Sequence, residues 1–171
     1  MNTLDAIRAR RNVRNYTDQP ISANDLNQIL EAARRTPSSM NEQRWDFVVV
    51  TGRKELQELS KVWTYAGHVA GSAATIVLVA PDADKADVRE SIQYDLGQAT
   101  MSIILAAADL GIGSGHAAIA DQKLLRKLLG IPEDHFGAWL IALGYPADRP
   151  LAPIKEMKRR PFDQVVHRGR W

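Results

Sequence analysis

Three arginines and one asparagine occupy four of five consecutive positions near the start of the chain: Arg10, Arg11, Asn12 and Arg14. A guanidinium group is a planar fork of fixed donors that can bind a phosphate through two hydrogen bonds at once, and an asparagine amide adds a neutral donor. This basic segment, residues 10–14, therefore has the chemistry of a phosphate-binding site. A solvated basic turn has the same composition, and the choice between the two depends on whether the rest of the sequence fits a phosphorylated ligand.

A second polar group lies in the stretch from Thr36 to Trp45, which we call the serine loop. It carries the hydroxyls of Ser38 and Ser39 and the side-chain amides of Asn41 and Gln43. Hydroxyls and amides in one loop are suited to hydrogen-bonding a polyol or the edge of a heterocycle. A helix stop made of turn residues has a similar composition, so this stretch alone leaves both interpretations open. Two such polar stretches in one small protein favour a ligand site.

Several kinds of catalytic and metal site do not fit the sequence. The chain has no cysteine, so a thiolate nucleophile, a disulfide and a cysteine-based zinc site are all excluded. The four histidines are scattered without a second ligand at metal-binding spacing, and Ser114 has glycines as direct neighbours, unlike the Gly-x-Ser-x-Gly elbow. We therefore predict no metal and no catalytic side chain. Such a site is consistent with a bound cofactor that carries the chemistry while the protein binds and orients it.

The glycine-rich stretch from Gly111 to Gly115 resembles a dinucleotide-binding loop in composition only. That fingerprint follows a strand and opens a helix, whereas this stretch follows a long helical pattern. The sequence instead predicts a helix C-terminus in the left-handed conformation. His116, directly after it, is the one histidine that its position connects to a possible ligand.

The composition is that of an ordinary soluble domain: 171 residues, 45% hydrophobic, 25% charged, with a formal net charge of +2. The charge is too small to argue for nucleic acid, and no run approaches the roughly 18 apolar residues of a membrane span. The absence of cysteine and of a secretory signal predicts a cytoplasmic location. No linker or repeat divides residues 1–171, which we interpret as a single domain. Positive charge gathers at the two ends, in Arg8–Arg14 and Lys155–Arg170.

The elements that must position these groups follow from hydrophobic periodicity. Helices are predicted for a short first segment capped by Thr3, for a segment that starts at Ser22 and stops at Pro37, and for residues 54–63, 86–110 and 124–129. Strands are predicted for residues 45–51, 74–80 and 138–143, the last two in the interior of a sheet. The tail from Pro150 has no amphipathic period. It is either frayed or packed on something outside its own domain.

With these residues in place, the chain resembles the FMN-dependent nitroreductase family over essentially its whole length. Residues 7–16, Ile-Arg-Ala-Arg-Arg-Asn-Val-Arg-Asn-Tyr, are similar to the family's Arg-Arg-Ser-x-Arg-x-Phe opening, and residues 37–45 to its Pro-Ser-x-x-Asn-x-Gln-Pro-Trp. Three further motifs follow in the family's order, at residues 95–113, at residues 129–146 and in the Arg-x-Pro tail from Arg159. Five motifs in the right order make the resemblance specific.

The resemblance implies an α+β fold around a mixed, mostly antiparallel sheet flanked by helices, and a homodimer with FMN at the subunit interface. It also implies that the C-terminal segment is exchanged with the partner's sheet. The family's phosphate-binding positions correspond to Arg10, Asn12 and Arg14, with Arg11 alongside and Arg159 from the far end. Its flavin contacts from the other subunit correspond to Pro37, Ser38, Ser39 and Asn41, and the backbone that approaches flavin N5 to Ala117, Ala118 and Ile119.

The chain departs from the family pattern at three positions within or beside these motifs. Asn12 stands in place of a serine, Arg44 in place of a proline, and Ala118 where well-studied relatives have an acidic residue. The chain is also short and lacks the long insertion that covers the flavin in larger relatives. The acceptor side is then open, narrower in contact area, or shaped mainly by Trp63, Tyr65 and His68.

The function implied by the resemblance is hydride transfer from NAD(P)H through flavin N5 to a small acceptor such as a nitroaromatic or a quinone. One alternative is a family member specialised for another flavin reaction, such as dehalogenation or enone reduction. Another is a flavin-binding or regulatory dimer with little turnover, which the short flavin cover makes conceivable.

Overall fold

The computed structural model describes residues 1–154 and 158–171; Lys155, the first residue of the basic C-terminal stretch, lies outside them. Helix α1 spans Thr3–Ala9 and helix α2 spans Ala23–Arg34. The predicted Ser22 cap is confirmed, because its Oγ accepts the Asp25 amide at 3.0 Å. The prediction that Thr3 caps α1 is wrong: Asn2 Oδ1 accepts the Asp5 amide at 2.9 Å, and Thr3 is already helical.

A four-stranded sheet of β1 (Asp46–Val50), β2 (Ala74–Pro81), β3 (Gly113–Ala117) and β4 (His135–Gly144) has the order β1-β2-β4-β3. All three pairings are antiparallel. The two central strands are those that the sequence predicts in the interior, and β2 is buried from end to end except at Pro81. The predicted α+β fold with a mostly antiparallel sheet is confirmed. Within the described ranges, the one parallel pairing is an isolated bridge between Asn12 and Ser114.

Helices cover both faces of the sheet. Helix α4 (Ala86–Asp109) packs with α2 on one face, where Ile29, Ile103 and Ile141 are fully buried. Helices α3 (Arg53–Leu59) and α5 (Gln122–Leu129) cover the other face together with short 3-10 turns at Ser60–Val62 and Gly67–Gly71. Helix α4 is buried along much of its length because its apolar side chains recur every three or four residues.

Strand β3 is the element that the sequence interpretation missed. Only Gly111, with φ of 74°, has the left-handed conformation predicted for the whole stretch from Gly111 to Gly115. From Gly113 onward the backbone is extended and pairs with β4, so the glycine stretch ends α4 and then becomes the sheet's edge strand.

The C-terminal region makes no long element in the described residues. Among the described residues after β4, a short 3-10 turn forms at Phe162–Gln164. Phe162 and Trp171 are 70% and 99% exposed, so these large apolar side chains have little cover within the chain itself. In the described parts of the chain no helix is long and apolar enough to cross a membrane.

Candidate functional site

The basic segment lies along the outer edge of β3. Helix α1 ends at Ala9, and Arg10 already has an extended backbone. The Val13 amide then donates a 2.8 Å hydrogen bond to the Ser114 carbonyl. The predicted phosphate-binding residues are thus fixed to the sheet as an additional short edge, and do not form a free basic turn.

The glycines of β3 make this close approach possible. A Cβ on Gly113 would lie 2.6 Å from Cγ2 of Val13, and a Cβ on Gly115 would lie 2.3 Å from the Val13 carbonyl oxygen. Real Cβ atoms do not approach backbone oxygen so closely, so no larger residue fits at Gly115 unless the segment moves. The glycines of β3 make the strand hard to predict from sequence. The same glycines let the basic segment, with its arginines, approach the sheet.

Two clefts meet at Asn12. The larger, of about 390 Å³, lies between α4 and the strand edge, and its lining includes Arg10, Asn12, Met101, His116 and Trp139. The smaller, of about 210 Å³, is lined by Arg11, Asn12, Arg14, Asn15, Asp148 and Arg149 among others. The structure brings Arg10 to one cleft and Arg11 and Arg14 to the other, and Asn12 is common to both. The volume of the larger cleft falls in the range of small-molecule sites, roughly 300–1,000 Å³.

His116 takes part in the larger cleft, as its position after the glycine stretch suggested. Its ring meets that of Trp139 edge-on, with centroids 6.0 Å apart. Trp139 remains 38% exposed although it lies in a central strand. The pair gives this cleft an aromatic wall opposite the apolar side chains of α4.

The stretch after β3 is held against the neighbouring 3-10 turns. The amides of Ala120 and Asp121 both donate to the Val62 carbonyl, at 3.0 and 2.9 Å. Ala117 is buried at the end of β3. Within the described part of the chain, the backbone amides of Ala118 and Ile119 have no backbone acceptor. Both residues are half-buried, so these two amides are candidates for donating to a ligand.

His68, Trp63 and Tyr65 lie close to this stretch. Nε2 of His68 lies 3.3 Å from the Gly115 carbonyl and donates to it. Burial lowers the pKa of His68, and the positive charge of Arg14 lowers it further. The rings of Trp63 and Tyr65 meet edge-on at 5.0 Å, and Tyr65 is 73% exposed. All three residues suggested for the acceptor side are thus near the end of β3.

The serine loop lies against α4, the helix that also lines the larger cleft. Ser39 donates from both its amide and its hydroxyl to the carboxylate of Asp95, at 3.0 to 3.1 Å. Arg44, which stands in place of the family's proline, forms a salt bridge with Glu42. The sequence motif at residues 95–113 contains Asp95 but does not indicate its contact with the serine loop. The signal that marks Asp95 is a carboxylate among the apolar α4 positions Ile92, Leu96 and Ala99.

The single chain does not bring every predicted site residue to one place. Arg159 is exposed, and its guanidinium donates to the neighbouring Lys158 carbonyl at 2.9 Å. It makes no hydrogen bond or salt bridge to the basic segment in the described residues. Its proposed contact with the same phosphate stays a prediction.

Comparisons with known proteins agree with this architecture. The Nitroreductase family model matches residues 7–67 and 58–145. A protein of Archaeoglobus fulgidus assigned as an NADH dehydrogenase/NAD(P)H nitroreductase is 38% identical over 98% of each chain. The solved structure of an FMN-dependent nitroreductase from Clostridium difficile is similar with a TM-score of 0.85 and 27% identity, over 98% of this chain and 99% of that one.

A third similar structure is that of the NADPH:FMN oxidoreductase of Vibrio harveyi in complex with NAD+. The TM-score is 0.87 at 25% identity, and the match covers all of this chain but 78% of the longer one. The sequence motifs, the topology and the family match lead to the same result: the chain belongs to the nitroreductase family.

Proposed function

We propose that this protein is an NAD(P)H-dependent flavin oxidoreductase that binds FMN and reduces a small acceptor such as a nitroaromatic or a quinone. The observation that carries the proposal is the basic segment held against β3 beside a cleft of about 390 Å³. The membership in the nitroreductase family and the FMN named for similar proteins support the same cofactor. We take residues 1–171 as one FMN-binding domain.

The residues present fit the phosphate of FMN. Arg10, Arg11 and Arg14 provide guanidinium groups, and Asn12 lies between the clefts that these arginines line. The buried Nε of Arg11 has no hydrogen-bond partner in the described part of the chain. Because buried donors are nearly always paired, this atom is suited to an anionic ligand.

The backbone after β3 fits the polar edge of the flavin ring. When bound, FMN supplies the redox chemistry, because its N5 accepts a hydride from a reduced nicotinamide and passes it on to an acceptor. The amides of Ala118 and Ile119 would donate to the ring, which favours the negatively charged reduced form. No acid or base from the chain is needed for the hydride transfer itself.

We further propose a homodimer in which the C-terminal segment lies on the partner's sheet. Strand β1 is an edge strand, and an unpaired edge can accept an additional strand from another chain. Val165 and Val166 have the composition of a strand and are exposed, as is Trp171. In this arrangement Arg159 reaches the phosphate, and the serine loop, including Pro37, Ser38 and Asn41, contacts the flavin of the other subunit.

The experiment that tests the function is anaerobic titration of the purified yellow protein. NADH or NADPH should bleach the flavin absorbance, and a nitroaromatic or a quinone added afterwards should restore it. Bleaching followed by restoration is what a two-step exchange predicts. A protein that binds FMN but never bleaches would support a flavin-binding module, and a colourless protein that takes up no FMN would contradict the proposal.

A further inference from the structure

Three residues of the serine loop have a left-handed backbone. Met40, Asn41 and Gln43 have φ values of 53°, 56° and 52°. Non-glycine residues adopt this region only rarely, and they keep it where surrounding contacts determine the conformation. The serine loop is therefore held by specific contacts and not by the preference of its own backbone.

Asp95 of α4 supplies the strongest of these contacts. Its two carboxylate oxygens lie 3.1 and 3.0 Å from the amide nitrogen of Ser39, and the Ser39 hydroxyl donates to Oδ1 at 3.1 Å. Hydrogen bonds to a charged acceptor are stronger than those between neutral groups. Ser39 directly precedes the first left-handed residue, so Asp95 fixes the loop where its backbone begins to turn.

The position of Asp95 makes this contact costly. Asp95 is 5% exposed, and in the described ranges no lysine, arginine or histidine forms a salt bridge with it. Burying a carboxylate costs free energy because the group loses its hydration. Without a cation beside it, hydrogen bonds alone offset this cost. An apolar residue would fill this helix position without that cost, as Ile92 and Leu96 do beside it. The carboxylate therefore stabilises the conformation of the serine loop and does not favour the packing of the helix.

The middle of the loop, residues 40–43, is exposed and is tied to the loop by internal hydrogen bonds. The Gln43 amide donates to Ser38 Oγ at 3.0 Å, and Gln43 Nε2 donates to the Asn41 carbonyl at 3.2 Å. Met40, at the tip, is 92% exposed. A strained loop fixed in one conformation, with its tip outside its own core, is preorganised to contact another molecule.

We propose that Asp95 is a positioning residue for the flavin: by fixing Ser39, it holds the serine loop in the conformation that contacts FMN bound by a second copy of this chain. The inference rests on the proposed function, in which FMN lies between two subunits. Asp95 itself touches neither the flavin nor the acceptor. It acts through Ser39, and its effect is on cofactor affinity.

The test compares three substitutions on α4 in the full chain. Asp95→Asn keeps the side-chain volume and removes the charge. Ile92→Val, one turn earlier, destabilises the buried face of the same helix and removes none of the loop's hydrogen bonds, and Glu90→Gln makes the same carboxyl-to-amide change at an exposed position. The measurements are the FMN dissociation constant from quenching of flavin fluorescence, the thermal midpoint, and amide hydrogen exchange across residues 36–45 of the apoprotein.

We expect Asp95→Asn to raise the FMN dissociation constant about tenfold or more, as the loss of one charged hydrogen bond implies, and to speed exchange at the Ser39 amide. Ile92→Val should lower the thermal midpoint and leave the FMN dissociation constant near that of the wild type. Glu90→Gln should leave all three quantities unchanged.

The outcomes separate the positioning role from the proposed function. If the wild type binds FMN and Asp95→Asn binds it equally well, the positioning role is overturned and the proposed function stands. An equal loss of affinity in Asp95→Asn and Ile92→Val would assign the effect to general destabilisation and would also overturn it. Unchanged exchange at Ser39 would show that Asp95 does not fix the loop. A wild type that binds no FMN overturns the proposed function, and the flavin role of Asp95 with it.

Discussion

The backbone amide of Val13 donates a 2.8 Å hydrogen bond to the carbonyl oxygen of Ser114, and this contact joins the basic segment to the glycine-containing strand β3. Tyr16 strengthens the junction, because its hydroxyl donates to the Val13 carbonyl at 2.7 Å. Burial raises the pKa of Tyr16, so the phenol keeps the proton that it donates. The placement of Arg10 to Arg14 thus depends on residues far from them in sequence.

The first prediction concerns the space that Gly115 leaves open. Gly115→Ala should lower the free energy of unfolding by about 1–3 kcal/mol and weaken FMN binding, because its Cβ would collide with the Val13 carbonyl and push the basic segment from the sheet. Urea unfolding and an FMN titration measure the two effects. Gly71→Ala is the control, since no atom lies within 4 Å of its added Cβ. If Gly115→Ala changed the free energy of unfolding and the FMN affinity as little as Gly71→Ala, the close approach of Val13 to Gly115 would not be needed for either.

The second prediction concerns which arginine holds the phosphate. Arg14→Ala should raise the FMN dissociation constant by about 10- to 100-fold, the effect of losing hydrogen bonds to a charged group. Arg8→Ala should have little effect, because Arg8 points to solvent and pairs with Asp5 at 3.7 Å, a surface contact of small value. Gel filtration followed by flavin absorbance reports how much FMN each variant retains. Equal retention by the two variants would count against the assignment.

The sequence predicts most helices and the two central strands because their signals are local. The Ser22 cap, the periodicity of α4 and the end of α5 at Gly130, with φ of 67°, all follow from neighbouring residues. Strand β3 has no such signal. Gly113 and Gly115 disfavour a strand by local propensity, and the strand exists because the basic segment and β4 pair with its two edges. This is a tertiary effect that a window of sequence does not contain.

In the candidate site, too, some features follow from the local sequence and others only from the fold. The residue types of the basic segment indicate an anion site, and the structure places them on clefts that the sequence could not show. Asp95 could be suspected from its charge in an apolar stretch, but its partner Ser39 is 56 positions away. The contact of Arg159 with the phosphate needs a second chain and stays a prediction.

The third prediction is a pH dependence that arises from His68. Its pKa is lowered in the folded protein, so the neutral form is favoured by folding. This contribution to stability is present above the unfolded pKa of about 6.5 and is lost as the pH falls through the folded value. The wild type should lose stability between about pH 7 and 5 more steeply than His68→Gln, measured by urea unfolding across that range. Identical pH profiles would show that His68 makes no such contribution.

The fourth prediction tests the exchanged C-terminal segment. A chain that stops after Pro161 loses the exposed apolar residues from Phe162 to Trp171 but keeps Arg159. Its dimer should dissociate at micromolar concentration in sedimentation experiments, because the segment no longer covers the partner, and its FMN affinity should fall with it. Arg170→Ala, which keeps the segment, should remain a dimer. A truncated chain that stays dimeric with full FMN affinity would contradict the exchange.

If the basic segment holds the phosphate of the flavin, the protein must distinguish FMN from riboflavin, since the two ligands differ only in that phosphate. The wild type should bind FMN at least about 100-fold more tightly than riboflavin, as expected for several charged hydrogen bonds. Arg14→Ala should lose most of this difference while its riboflavin affinity changes little. Equal affinities of the wild type for the two flavins would contradict the phosphate-binding role of the basic segment.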